Sequence, residues 1–420
     1  MLRKAAYIMK REVVIYLAGR FIPAVVNLAV IILAIRFLGA VEYGRYSLIL
    51  YTALLLITLC FHWVQASILR FLGGKPKECG VVMSRLFDLT ILSAFVSTGL
   101  VVLAGHFYLH LDLIELVLAA LFAMLSNFYL FHQAVLEANH RSIRTAILEG
   151  TDQLLIMIVL LAGLFFLELR TSVILLASLV IGLLGTLTLR TLIRVKGELT
   201  IDLKHIYWDS RFSGKVIEFG YAVTLWLFFS QLLMAADRFI LMEYFGYRDA
   251  GMYSALKDLL FKGTTFAIFP IYISYQSKIS DNWNTHHPDM AWKNVKEALS
   301  FEILIFIIVF IVFMVAKPYI FNDLLLIPEL DSWLVYLPLL LSAFIWQGAL
   351  LVQRFLDLML RQLYVVVILT SCVLINILAN ILLVSKFGYL ASSLAMLFSS
   401  SLYAGLIVFF AVRTWNRRQE

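Results

Sequence analysis

The stretch "GAVEYGRYS" (39–47) returns 207 positions later as "GYRDAGMYS" (246–254). Four positions are identical between the copies: Gly39, Gly44, Tyr46 and Ser47 in the first, and Gly246, Gly251, Tyr253 and Ser254 in the second. Each copy joins two apolar runs that are long enough to be helices. Glycine in a short loop permits a tight turn and a close approach of the flanking helices. The chain of 420 residues therefore divides into two halves that open with the same helix–turn–helix.

The composition is that of a membrane protein. Hydrophobic residues make up 62% of the chain and charged residues 15%, whereas a soluble domain is roughly half apolar and about a quarter charged. The excess lies in separate runs of about 20 residues, the length that a helix needs to cross a bilayer. Continuous runs exclude the alternating pattern of a β-barrel. We expect an all-α polytopic membrane protein with twelve transmembrane helices, over 13–36, 46–66, 86–108, 113–135, 146–167, 171–193, 215–243, 250–273, 298–316, 333–353, 362–384 and 389–411.

The charge pattern predicts the topology. With the N-terminus inside, the cytoplasmic segments carry 24 of the 34 Lys and Arg residues and the extracytoplasmic segments carry 6. This positive-inside bias places both termini in the cytoplasm. The basic segment 1–11 precedes an apolar run that is too long for a signal peptide, so we expect a retained first helix. The net charge of +7 then faces anionic lipid headgroups rather than nucleic acid.

The twelve spans group into two lobes of six. We predict an N-terminal six-helix lobe over 1–195, a cytoplasmic linker over 196–214 and a C-terminal six-helix lobe over 215–420. Both copies of the repeated loop then lie on the extracytoplasmic side, so the two halves have the same orientation. Parallel repeats of this kind are a common design of transporters, in which substrate binds between the halves and access alternates.

Other chemistry is not indicated. The three cysteines, Cys60, Cys79 and Cys372, are scattered and show neither disulfide nor metal spacing. The segment "GGKPK" (73–77) lacks the spacing and the Ser or Thr of a nucleotide-binding loop. No nucleophile motif is present, so we expect no enzyme, no cofactor and no metal. Transport then depends on a gradient of H⁺ or Na⁺, or on the membrane potential.

Four segments carry a family resemblance: "LGAVEYGRYSLIL" (38–50), "WVQASILRFL" (63–72), "AADRFILMEYFGYRDAGMYSALKDLL" (235–260) and "FGYLASSLAM" (387–396). They resemble the polysaccharide-exporting lipid flippases, which include the O-antigen flippases called Wzx, in the multidrug/oligosaccharidyl-lipid/polysaccharide (MOP) exporter superfamily. The resemblance implies a V-shaped bundle of twelve helices around a central cavity.

The same resemblance implies a cargo and a place of action. Members move an undecaprenyl-diphosphate-linked oligosaccharide, such as an O-antigen, capsule or exopolysaccharide repeat unit, from the inner to the outer leaflet of the bacterial cytoplasmic membrane. They usually work beside a glycan polymerase and other polysaccharide-assembly proteins. Membrane lipids are the remaining partners that we expect.

Polar residues in helix 1 are the first site candidates, because ionisable groups inside spans are costly and tend to be functional. Arg20 is positioned either to face a cavity and hold a diphosphate by bidentate hydrogen bonds or to snorkel to the headgroups. Asn27 lies seven residues later on the same helix face.

Helix 7 contributes Gln231, Asp237 and Arg238. Adjacent residues on a helix point about 100° apart, so Asp237 and Arg238 do not pair with each other. Asp237 matches an acidic position of the resembled family. Both residues are candidates for the substrate cavity or for coupling, and interlobe ion pairing is the alternative.

Helix 8 contributes Lys257 and Lys262. Asp258 and Lys262 have the favourable i,i+4 spacing and form either a self-neutralised pair or separate groups. Lys257 has no acidic residue at that spacing, so we expect an unpaired cation. Asp357 and Arg361 have the same favourable spacing at the inner end of helix 10 and are expected to pair.

Three functions remain open at this stage. Cations at Arg20, Arg238, Lys257 and Lys262 favour an anionic cargo and hence a flippase. A cation-coupled drug antiporter of the multidrug and toxic-compound extrusion (MATE) type is the alternative, although acidic cavity residues would suit it better. A membrane glycan polymerase or glycosyltransferase is disfavoured, because the extracytoplasmic loops are short.

Overall fold

The computed structural model describes residues 21–72, 79–139, 141–192 and 210–419. These residues form twelve α-helices, in chain order α1 Phe21–Leu38, α2 Ala40–Leu72, α3 Cys79–Phe107, α4 Leu113–Ala138, α5 Ser142–Phe165, α6 Ser172–Leu192, α7 Ser210–Phe245, α8 Tyr247–Asn284, α9 Pro288–Tyr319, α10 Trp333–Leu358, α11 Gln362–Phe387 and α12 Tyr389–Gln419. One π-helical turn, Ile320–Leu324, and one 3₁₀ turn, Pro328–Leu330, connect α9 to α10.

The apolar composition of the helices confirms the all-α polytopic class. Within the described ranges, eleven helices are long and apolar enough to cross a membrane. The twelfth, α8, is the longest at 38 residues, but charged residues lower its hydropathy. The segment Ala250–Leu260 is nevertheless almost entirely buried, including Lys257 and Asp258. The place of α8 in a membrane therefore depends on how those charges are neutralised.

The chain forms two compact units. One comprises the chain up to Val30 together with Arg45–Gln231, and the other comprises Ile31–Gly44 with Leu232–Glu420. The first unit contains the helix pairs α3·α4, α4·α5, α4·α6 and α5·α6, and the second contains α9·α10, α10·α11, α10·α12 and α11·α12. Each pair recurs six helices later, as a duplicated six-helix lobe requires. The proposed lobe limits at 195 and 215 stay a prediction, since 196–209 of the predicted linker lie outside the described residues.

The two copies of the repeated loop adopt the same turn. Gly39 has φ +87° and Gly246 has φ +85°, a region that residues with a side chain rarely adopt. Each glycine nitrogen donates to the carbonyl four residues before it, and each glycine carbonyl accepts from the amide four residues after it. One glycine is thus the whole connection between α1 and α2 and between α7 and α8.

Gly44 and Gly251, the second glycines of the repeat, lie against each other within the second unit. A Cβ on Gly44 would overlap the carbonyl oxygen of Tyr247 and lie 3.0 Å from the nitrogen of Gly251. A Cβ on Gly251 would overlap the carbonyl oxygen of Ala40 and lie 2.8 Å from the nitrogen of Gly44. Ala40 precedes Gly44 by as many residues as Tyr247 precedes Gly251, so the contact is reciprocal. The repeat sequence therefore specifies both a turn and a close backbone contact between its two copies.

We predict that Gly251→Ala destabilises the protein by about 1–3 kcal/mol, because the added methyl group overlaps a backbone carbonyl that has no room to move. Gly263→Ala, in the same helix α8, is the matched control, since a Cβ there meets no atom within 4 Å. The control should be neutral or should stabilise the helix by about 0.5–1 kcal/mol. Thermal unfolding of the detergent-solubilised protein, followed by tryptophan fluorescence, measures both. Equal unfolding temperatures for the two variants would contradict the close contact.

Candidate functional site

The single-residue connection at Gly246 folds α7 and α8 into an antiparallel hairpin, which brings the charged residues of the two helices together. Asp237 and Arg238 come from α7, and Lys257 and Asp258 come from α8. Their exposed fractions are 0%, 1%, 1% and 5% in that order. An isolated charge buried this deeply in an apolar environment is costly, so each of the four needs a partner.

The four side chains form two crossed ion pairs between the helices. The Lys257 Nζ lies 2.6 Å from Asp237 Oδ2. The Arg238 guanidinium donates a hydrogen bond to each carboxylate oxygen of Asp258, with N–O distances of 2.5 Å and 3.1 Å. Two positive and two negative charges thus neutralise each other, and the Arg–carboxylate pair has the bidentate geometry that gives the strongest charge-assisted hydrogen bonds.

These pairs correct one expectation from the sequence and bear on a second point that the sequence left open. The expectation that Lys257 is an unpaired cation is wrong, because its partner Asp237 lies on the neighbouring helix. Asp258 binds Arg238 rather than forming an ion pair with Lys262, and no charged group of the described residues lies within ion-pair distance of the Lys262 ammonium. Asp237 and Arg238 do not pair with each other, as helix geometry predicts, and each bonds to α8 instead.

Two tyrosine hydroxyls from the repeated loops complete the cluster. Tyr43, in the first copy, donates to Asp258 Oδ2 at 2.8 Å, and Tyr253, in the second copy, donates to Asp237 Oδ2 at 2.9 Å. Lys257 also donates to the Met234 carbonyl at 2.9 Å. Sequence reasoning gave Tyr253 only a structural role in the loop and did not single out Tyr43, because neither contact is local in the chain. We call these six side chains, Tyr43, Asp237, Arg238, Tyr253, Lys257 and Asp258, the charge cluster.

A third aromatic residue attaches α12 to the charge cluster. The Tyr253 ring stacks on Tyr389 with ring planes 6° apart and centroids separated by 6.5 Å. The Tyr389 hydroxyl donates to Asp249, in the first turn of α8. The second repeat copy is therefore held from both sides, by α7 through Asp237 and by α12 through Tyr389.

The remaining candidates have separate surroundings. Arg20 lies outside the described residues. Asn27 donates to the Pro23 carbonyl of its own helix at 2.9 Å. The side-chain carbonyl oxygen of Gln231 is buried, and no described residue donates a hydrogen bond to it. Lys262 is half-buried, one turn beyond Asp258. Among the described candidates, the structure brings together Asp237, Arg238 and Lys257, while Lys262 stands at the edge of the charge cluster.

Glu302, on α9, is a buried acid that sequence reasoning missed. It is 5% exposed, and neither of its carboxylate oxygens has a hydrogen-bond partner among the residues that the structure describes. The side chain fits against α10 because Gly348 has no Cβ, since one built there would lie 3.0 Å from Glu302 Oε2. The signal in the sequence was a single carboxylate at the start of an apolar run, "SFEILIFIIVF" (300–310).

Arg45, in the first repeat copy, forms a second ion-pair group, in the first unit. It lies 2.6 Å from the buried carboxylate of Glu115 and 3.2 Å from Asp112, both at the start of α4. Ser172, the first residue of α6, donates to the same Glu115 at 2.6 Å. This group joins α2, α4 and α6 at one end of the unit. Its buried acid, Glu115, binds both Arg45 and Ser172. Within the described ranges, no group of three or more His, Cys, Asp or Glu residues is arranged to hold a metal ion.

No protein-family model and no curated protein matches this sequence. Solved structures do match along nearly the whole chain. A MOP superfamily transporter from Pyrococcus furiosus, described as having a binding pocket of reversed polarity that suggests a different function, matches with a TM-score of 0.67 and 12% identity over 98% of this chain and 96% of that one.

Two further structures are those of a multidrug resistance MATE family transporter of the MOP superfamily. The outward-facing one matches with a TM-score of 0.65 and 13% identity over 96% of this chain and 94% of that one. The inward-facing one matches with a TM-score of 0.65 and 12% identity over 96% of this chain and 98% of that one. Identities this low show the fold alone. The chain has the fold of MOP superfamily transporters.

We predict that Lys257→Met costs about 3–5 kcal/mol of stability, because it leaves the buried Asp237 without its cation. The double variant Asp237→Asn with Lys257→Met should recover more than half of that loss, since no buried charge then lacks a partner. The exposed pair Arg248–Glu329, with N and O 2.8 Å apart and side chains 61% and 46% exposed, is the control. Its removal by Arg248→Gln should cost no more than about 1 kcal/mol.

Unfolding of the detergent-solubilised variants in denaturant gives the three differences in free energy. Losses for Lys257→Met no larger than those for Arg248→Gln would show that the charge cluster is solvated, contrary to the burial described above.

Proposed function

We propose that the chain is a flippase that moves an undecaprenyl-diphosphate-linked oligosaccharide from the inner to the outer leaflet of the bacterial cytoplasmic membrane by alternating access. The cargo is an O-antigen, capsule or exopolysaccharide repeat unit. Both termini are cytoplasmic in this proposal, the energy comes from an H⁺ or Na⁺ gradient or from the membrane potential, and a glycan polymerase receives the product.

The main support for this proposal is which charged residues of α7 and α8 are paired and which are not. Asp237 and Asp258 are buried and are neutralised by Lys257 and Arg238, so neither acid is available to a cationic cargo. Lys262 is half-buried, and no carboxylate of the described chain lies within ion-pair distance of it. The charge that this region offers to a cargo is therefore positive, which suits a diphosphate.

The polarity of the binding pocket has been used to argue the function of one transporter of this fold. The Pyrococcus furiosus transporter of the same fold is described as having a pocket of reversed polarity that suggests a different function. A positive group beside a neutralised cluster favours an anionic cargo here by the same kind of reasoning. An unpaired polar group in hydrocarbon is costly, so a headgroup with two phosphates needs such a cation along its path.

The charge cluster itself has a supporting role in this proposal. Of the four cations that the sequence offers to a cargo, Arg20, Arg238, Lys257 and Lys262, the ion pairs neutralise Arg238 and Lys257. Lys262 and Arg20 remain as the residues proposed to bind the diphosphate.

A cation-coupled drug antiporter of the MATE type is the second candidate. Glu302 favours it, because both of its carboxylate oxygens are buried without a hydrogen-bond partner among the described residues. Such oxygens are suited to exchange a proton or hold a small cation during transport. The same oxygens also fit an ion-coupled flippase, so the nature of the cargo distinguishes the two candidates.

We predict that proteoliposomes containing the protein exchange a fluorescent undecaprenyl-diphosphate oligosaccharide between leaflets, measured by the fraction that an external quencher reaches over time. Lys262→Gln and Arg20→Ala should each slow the exchange about tenfold, since a hydrogen bond to a charged group contributes about 1.5–3 kcal/mol. Lys278→Gln, which removes a lysine further along the same helix, should leave the rate unchanged.

Two outcomes contradict the proposal. If the wild type leaves the lipid in place but exports cationic dyes from the same vesicles, the chain is an antiporter of the MATE type. If exchange occurs but Lys262→Gln and Arg20→Ala match the wild type, the flippase function stands and the assignment of the phosphate-binding residues is wrong.

A further inference from the structure

A cavity of about 650 Å³ lies in the second unit, at the end of the helices where α10 stops and α11 begins. Its walls come from the last turn of α10, the turn after it, the start of α11, the last turns of α12 and Trp283 of α8. By the distribution of Lys and Arg, this end of the helices is cytoplasmic. The cavity is therefore placed at the inner surface of the membrane.

Two guanidinium groups, those of Arg361 and Arg413, line this cavity. Arg361 was expected to pair with Asp357, and that expectation is wrong, because no ion pair within 4 Å joins them. In the parts of the chain that the structure covers, neither arginine has a carboxylate within that distance. Arg361 instead stands over the Tyr364 ring, with its guanidinium carbon 5.5 Å from the ring centroid. The cavity thus presents two positive charges with no internal counter-ion.

One part of the cavity wall is apolar and continues onto an exposed leucine. Leu356, Leu358 and Phe410 form this apolar part, and Leu360 stands at its edge with 87% of its surface exposed. Leu360 also has φ +58°, an unfavourable backbone conformation for a bulky residue. A leucine held outward at the end of transmembrane helices is suited to contact acyl chains. The adjacent arginine reaches the level of the headgroups, where Trp and Tyr side chains such as Trp283 and Tyr364 are also enriched.

We propose that this cavity binds an anionic glycerophospholipid of the cytoplasmic leaflet, with its phosphate between Arg361 and Arg413 and an acyl chain along Leu360. A guanidinium presents a planar fork of donors that matches phosphate geometry. Basic pockets between transmembrane helices on the cytoplasmic side bind anionic headgroups in general. The site is separate from the charge cluster and from Lys262, so it does not depend on the identity of the cargo.

The bound lipid has a structural consequence. Arg361 lies just before α11 and Arg413 lies near the end of α12, so one phosphate between them joins two helices at a point where the turn after α10 is strained. A ligand that binds the folded state and not the unfolded state raises the free energy of unfolding with the logarithm of its concentration once that concentration exceeds the Kd. Anionic lipid should therefore raise the unfolding temperature of the wild type, and zwitterionic lipid should not.

The experiment uses the delipidated full-length protein and phosphatidylglycerol, with phosphatidylcholine as the neutral comparison. Native mass spectrometry gives the fraction of protein with bound lipid across a titration. Arg361→Gln with Arg413→Gln should weaken phosphatidylglycerol binding roughly ten- to thirtyfold, because each basic side chain at the surface adds to the attraction. Lys293→Gln with Lys296→Gln removes the same charge from the same predicted face outside the cavity and should leave binding unchanged.

The variant Arg361→Lys with Arg413→Lys keeps the charge and loses the planar fork, so it should bind with intermediate affinity and should fold normally. If the double glutamine variant of Arg361 and Arg413 binds phosphatidylglycerol as tightly as the control variant of Lys293 and Lys296, the proposal is overturned. Equal competition by inorganic phosphate would overturn the assignment to a lipid. Tighter binding of undecaprenyl phosphate than of phosphatidylglycerol would assign the cavity to the cargo lipid instead, which also overturns the proposal.

Discussion

The burial of α8 depends on the crossed ion pairs Asp237–Lys257 and Arg238–Asp258. The adjacent buried charges of Lys257 and Asp258 cannot be placed in an apolar environment unless they are neutralised. The partners come from α7, which the single residue Gly246 folds back along α8. Buried ion pairs contribute little net stability, because desolvation offsets their attraction. Their effect here is to fix the register of two helices, since any slip leaves a buried charge without a partner.

The repeated loop provides the geometry that these ion pairs need. Gly39 and Gly246 make the same one-residue turn, and Gly44 and Gly251 allow the two copies to touch backbone to backbone. This contact brings Tyr43 of the first copy to Asp258, while Tyr253 of the second copy binds Asp237. Close packing of the glycines and hydrogen bonding to the acids are therefore linked, because a shift of the first copy would withdraw a hydroxyl from a buried carboxylate. The loop is structural, and its tyrosines extend that role to the charge cluster.

The sequence predicts the helices well and the partners of their charges poorly. Apolar runs of membrane length indicate each helix independently of its neighbours, and the repeat indicates the duplication. The pairing of Lys257 was predicted wrongly, because the rule for in-helix pairs considers only neighbours three or four residues away. The hairpin contained the missing information: Asp237 lies nine residues before Gly246 and Lys257 lies eleven after it, so folding at the glycine brings them to the same depth. No such local relation connects Glu302 to Gly348, and that contact could be found only from the packing of α9 on α10.

The distinction between paired and unpaired charges bears on which cargo this chain could bind. Solved transporters of this fold share only 12–13% of their residues with this chain, so the helical framework fixes few side chains and leaves the polarity of a binding site free to differ. In this chain the acids of α7 and α8 are committed to holding the framework together, and they cannot also attract a cationic cargo without breaking a buried ion pair. Lys262 has no partner within ion-pair distance in the part of the chain that the structure describes, although Asp258 attracts its charge from one turn away. A cluster that is neutral overall and a cation beside it therefore have different roles in the function that we propose: the first maintains the helix register, and the second favours an anionic cargo.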